Sequence, residues 1–105
     1  MIEQPVEIKV RMPRYVIERD FGLVGEEEMQ EVAALSKATG IEQFPDITWE
    51  HSHVCSDDQG AIKSFCVYSA PSADRVLEHA NRVGGHAVIN VYEIVGDITP
   101  EEITL

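Results

Sequence analysis

His51 and His53 stand two positions apart in the run Thr48-Trp49-Glu50-His51-Ser52-His53-Val54-Cys55. In an extended strand side chains alternate between faces, so both imidazoles project to one side, in line with Trp49 and Cys55. Imidazoles so placed can share a nickel, copper or zinc ion, yet they supply only two ligands. The turn that brings the chain back decides what stands opposite. A two-residue turn would set odd positions of the first arm against even positions of the second, adding Ser64, Cys66 and Tyr68 to the His face and offering Cys66 as a third ligand. A three-residue loop closed by Gly60 with a bulge would instead place Phe65 and Val67 there and send Cys66 behind. Without such a ligand, the two His are polar residues on a partly exposed strand, bonded to solvent or to a partner.

Other residues invite a second chemistry. Glu18 and Asp20 share a strand face with Val16; if that face is buried, they need a partner that Arg19, pointing the other way, does not provide. His79 lies roughly 100° from the centre of a helical apolar stripe, where it can turn under the helix and meet Glu18 or Cys66. Trp49, His51, Tyr68 and Tyr92 are the residues expected to line a small-ligand pocket on an open sheet face, with Glu18 and His79 to move protons. Cys66, between Phe65 and Val67, also suits a small buried hydrophobe. No glycine-rich phosphate loop, Gly-x-Ser-x-Gly turn, His-Glu-x-x-His helix or Cys-x-x-Cys pair occurs.

Composition narrows the classes of partner. With 105 residues and 44% hydrophobic side chains, the chain supports one modest core. A formal charge of −11 argues against nucleic acid and against an anionic membrane surface, both of which select clustered Lys and Arg. No apolar run approaches a bilayer crossing and no basic-apolar leader is present, so a soluble cytoplasmic protein with two free thiols, Cys55 and Cys66, is expected.

The elements that must position these residues follow in order. Residues 6–11 alternate apolar and polar as an extra strand or arm, which Met12-Pro13 interrupts. A strand over 14–21 leads through Gly22 and Gly25 into a helix whose first turn, Glu26-Glu27-Glu28, suits the positive end of the dipole. Its inward stripe is Met29, Val32, Ala33 and Leu35 or Ser36, and Thr39-Gly40 is expected to end it. A hairpin spans 46–70, with Asp57-Asp58-Gln59-Gly60 at its tip. Ser72 caps a second helix with Ala73, Val76, Leu77, Ala80 and Val83 inward; Gly84-Gly85 stops it, and a strand runs over 87–95. The result is an α+β, ferredoxin-like β-α-β-β-α-β domain over 12–105 preceded by an arm over 1–11. Its two helices cover one face of an antiparallel four-stranded sheet in the order four, one, three, two. The His-bearing strand is then an edge, and an open edge or face favours a homodimer of the α+β barrel type.

From Met12 to about Glu101 the chain resembles a bacterial family of small ferredoxin-like domains labelled nickel-binding-protein-like. The resemblance rests on Met12-Pro13-Arg14-Tyr15-Val16-Ile17-Glu18-Arg19-Asp20-Phe21, Asp46-Ile47-Thr48-Trp49, Phe65-Cys66-Val67-Tyr68-Ser69-Ala70-Pro71 and Glu78-His79-Ala80. It implies a dimer that binds a divalent transition metal, nickel by the label, for handling or sequestration; it does not imply an enzyme. Three features depart from the pattern: eleven residues before Met12, a longer turn around Ser56 to Ser64, and His53 where an aromatic residue is usual. The metal set expected from the label and the local chemistry together is His51, His53, Cys66 and His79. The alternative is a small-ligand or enzymatic barrel using Glu18, Asp20, Trp49, Tyr68 and Tyr92.

Overall fold

A computed structural model describes residues 12–105. The expected strand over 6–11 and the arm over 1–11 lie outside the described residues. Four strands, β1 (Arg14–Gly22), β2 (Thr48–Ser56), β3 (Ile62–Ser69) and β4 (Ala87–Ile94), form one antiparallel sheet in the order β2-β3-β1-β4. Read from β4, this is the order four, one, three, two. Helices α1 (Glu26–Gln43) and α2 (Ala73–Val83) complete the β-α-β-β-α-β sequence, followed by a 3-10 turn at Pro100–Glu102. Among the described residues no helix is long and apolar enough to cross a membrane.

Alternation in β1 sets the core. Tyr15, Ile17 and Arg19 point under the helices and are buried, whereas Arg14, Val16, Glu18 and Asp20 face the open side. In β3 the residues registered with the inward set, Tyr68, Cys66 and Ser64, are buried as well. Tyr15, Ile17, Cys66, Tyr68 and Ala70 pack against Val76 and Ala80 of α2, and each fully buried aliphatic side chain contributes about 1.5–3 kcal/mol. α2 is thus the helix that closes the core. Ser72 caps it as expected, its hydroxyl accepting from the Arg75 N–H at 3.2 Å.

α1 is packed differently. The Gly25 N–H donates to Glu28 Oε1 at 3.2 Å, which holds its first turn. Its buried residues are Ser36 and Thr39, while Leu35 is 51% exposed; of the two alternatives for the stripe, Ser36 is the inward one. The expected stop at Thr39-Gly40 is corrected: the helix runs on to Gln43. Gly40 keeps helical geometry and packs over His79, whose Nε2 would lie in ordinary contact, 3.7 Å, from a Cβ there. Small and polar residues therefore make the α1 interface, and they fill it poorly.

Two clamps fix the ends of the hairpin. Arg75 donates to both carboxylate oxygens of Asp46, at 2.8 and 3.1 Å, and to Glu78 at 2.8 Å, while its guanidinium lies 4.3 Å over the Phe44 ring. At the tip, Asp57 Oδ1 accepts from the N–H groups of Gln59 and Ala61, and Gly60 takes φ +83°. That is the three-residue loop with a bulge, a form that needs a residue tolerant of left-handed φ.

These differences in packing set unequal costs for truncation. Ile17→Ala, at a fully buried position, is expected to lower the unfolding free energy by about 2–5 kcal/mol, and Leu35→Ala by less than about 0.5 kcal/mol. Urea denaturation of the two variants checks this; equal losses would contradict the packing described.

Candidate functional site

The register of β2 against β3 separates the candidate residues. Trp49 pairs with Tyr68, but His51 pairs with Val67, because Glu50 is an extra residue that shifts the register by one. Trp49 therefore faces the helices while His51 and His53 face the open side of the sheet. The expectation that all three share a face is corrected, since strict alternation fails at a bulge. Glu50 is held there by a bidentate pair with Arg14, at 2.9 and 3.1 Å, and by the Ser69 hydroxyl, which donates at 2.8 Å. Asp97 from the C-terminal segment also pairs with Arg14. Arg14 and Ser69 hold the Glu50 carboxyl below its usual range.

On the open face the His51 and His53 rings lie edge to face with centroids 5.4 Å apart, both exposed. Opposite them stand Val67 and Phe65, so Cys66 is not a third ligand on this side; it is buried under the helices with its thiol 3.5 Å from Ser64 Oγ. Cys55, exposed, and Cys66 are free thiols. Among the described residues no three His, Cys, Asp or Glu side chains gather as a metal site. The four residues expected to share an ion divide, His51 and His53 on one face and Cys66 and His79 on the other.

His79 turns under α2 and is 2% exposed. Its Nε2 donates to the Ser36 carbonyl at 3.0 Å, which fixes the neutral tautomer and leaves the Nδ1 lone pair without a partner among the described residues. Phe44 and Tyr68 meet the ring edge to face at 5.3 and 5.6 Å. Burial, with a smaller contribution from Arg19, pushes the His79 pKa below 6.5. His86, whose Nδ1 donates to the Gly84 carbonyl at 2.8 Å, is pushed the same way by its own burial. Glu18 and Asp20 lie on the open face with Tyr92, across the sheet from His79, so the expected proton-moving pair of Glu18 and His79 does not exist.

The expected pocket on the open face is also displaced. A cleft of about 470 Å³ lies instead on the helix side, between the second half of α1 and the start of β2, with Trp49, Tyr68 and His79 in its walls. A smaller chamber of about 50 Å³ adjoins it across Ser36, Trp49 and Tyr68, and Arg19 lines that chamber. Arg19 is the residue that sequence reasoning passed over. It is 2% exposed, and among the described residues its one hydrogen bond is from Nη2 to the Tyr68 hydroxyl at 2.7 Å. Burial pushes the Tyr68 pKa up to about 12, so that hydroxyl is neutral and does not balance the charge. The available signal was parity: Arg19 shares a strand face with Tyr15 and Ile17.

A family model described as nickel responsive protein SCO4226-like matches residues 15–94. No curated protein and no solved structure matches the chain.

Buried His79 and half-buried His86 give stability a defined pH dependence. A His whose folded pKa is depressed binds its proton in the unfolded chain first, so stability is fully present above 6.5 and is lost as pH falls below it. Urea unfolding at pH values from about 7.5 down to 5 is expected to show this loss, and His79→Gln should flatten the slope while leaving the His86 share. An unchanged slope in His79→Gln would show that His79 is not the group responsible.

Proposed function

The chain belongs to the nickel-responsive SCO4226-like family, and on that premise we propose that it binds nickel or a chemically similar divalent transition metal through His51 and His53. The observation that carries this reading is the placement of the two rings, two residues apart on an exposed edge strand with centroids 5.4 Å apart. Neutral imidazole nitrogens in that arrangement can converge on one ion. Two ligands fit half of a site. Glu50, the nearest carboxylate in sequence, is engaged by Arg14 and Ser69, so the remaining donors come from water or from a second copy of the chain.

The dimer belongs to the same proposal. The open face carries Val16, Phe65, Val67 and Tyr92 beside the two His, and Tyr92 is 56% exposed. Covering this face with another copy, as in a ferredoxin-like dimer, would bury the apolar strip and bring further polar groups to the His pair. The charge of −11 favours divalent cations at the surface in general. Copper outranks nickel at nitrogen ligands, so selectivity for nickel would arise from geometry or supply.

Titration calorimetry of metal-stripped protein with nickel, zinc and calcium tests the reading. Saturable heats are expected for nickel and zinc but not for calcium, with affinity weakening in acid because a ligating imidazole must be unprotonated. Substituting both His51 and His53 by Ala should weaken nickel binding by about tenfold or more, and Cys66→Ala should leave it intact. Binding that survives the double substitution removes these residues from the site. Sedimentation with and without nickel reads the dimer separately.

A further inference from the structure

Among the described residues two buried side-chain polar atoms lack a hydrogen-bond partner, Arg19 Nε and His79 Nδ1. Both residues line the space under α1. Arg19 is the more demanding case, because a guanidinium remains charged at every physiological pH. No carboxylate among the described residues lies within 4.0 Å of it, whereas Arg14 and Arg75 each hold two acids. A neutral phenol satisfies one of its N–H groups and leaves the charge uncompensated. A desolvated cation of this kind is retained at a cost unless an anion joins it.

The surroundings say what sort of anion. The outer cleft, about 470 Å³, is within the range of small-molecule sites, and Ile41, Pro45, Ile47 and Trp49 give it apolar and aromatic walls. The smaller space beside it, about 50 Å³ and lined by Arg19, has room for a carboxylate but not for a ring. Trp49 is 36% exposed and donates its indole N–H to Ser52, which leaves its face available to a ligand. We propose that the space under α1 is a binding site for a small carboxylic acid with an apolar, ring-sized body, its carboxylate paired with Arg19 and its body lying against Trp49 and Tyr68. The site lies on the other side of the sheet from His51 and His53 and stands or falls independently of metal binding.

The test uses the full chain. Phenylacetate, cyclohexanecarboxylate and octanoate are titrated while following the emission of Trp49, the one Trp in the chain, and the Arg19 Nε–H resonance. At least one acid is expected to saturate, to move that resonance, and to bind about 10–100-fold more tightly than its neutral counterpart, phenylacetamide for phenylacetate. Arg19→Met should lose the same factor; replacing a buried ion by an apolar side chain of similar size is often neutral or stabilising, and circular dichroism reports whether the variant folds. The wild-type resonance decides the matter if it does not. Substituting His51 and His53 together by Ala should leave acid binding unchanged. The proposal is overturned if no acid saturates up to about 10 mM, if the amide binds as well as the acid, or if the Arg19 resonance stays in place.

Discussion

The contact of Arg14 with Glu50, completed by the Ser69 hydroxyl, pins one extra residue into the edge strand β2, and the opposite faces taken by Trp49 and by His51 and His53 follow from it. A shift of register by one residue transfers side chains to the opposite face of a sheet. Before the bulge, Trp49 turns toward the helices and forms the mouth of a cleft. Beyond it, His51 and His53 turn to the uncovered side while Ser52 lies against Cys66. The acid–guanidinium pair is only partly exposed and bidentate, so it is better placed to hold a bulge than an ordinary surface ion pair.

A second constraint comes from the unequal quality of the two helices. α2 offers Val76, Ala80 and Val83 to the sheet and makes a conventional apolar contact. α1 buries Ser36 and Thr39, and it meets α2 where the His79 ring donates to the Ser36 carbonyl and lies beside Gly40. Met29 and Val32 of α1 and Ile41 at its far end border the space between α1 and β2 without filling it, and Arg19 lines its smaller part.

Much of this architecture was legible from periodicity. The alternation of β1, the Ser72 cap, the stripe of α2 and the glycine at the hairpin tip each carry a local signal strong enough to place an element. The end of α1 was not, because a glycine that often stops a helix keeps helical geometry at Gly40 and the chain turns only at Phe44. The two faces of β2 were misread for a related reason: a bulge leaves no mark in composition, and Glu50 is selected by Arg14, which is distant in sequence. Arg19 escaped attention because a charged residue flanked by Glu18 and Asp20 reads as solvated, although its parity with Ile17 places it inside.

The thin interface of α1 has a consequence for how the molecule breathes. Local opening costs least where few buried apolar contacts must break, and α1 buries only Ser36 and Thr39 along its eighteen residues and adds none to the apolar core cluster. Its C-terminal end is tethered through Phe44, lying under Arg75, and the bond from His79 to Ser36. These anchors lie in the second half of the helix, so local opening of α1 would start at its glutamate-rich first turn and leave the hydrogen bonds of the sheet intact.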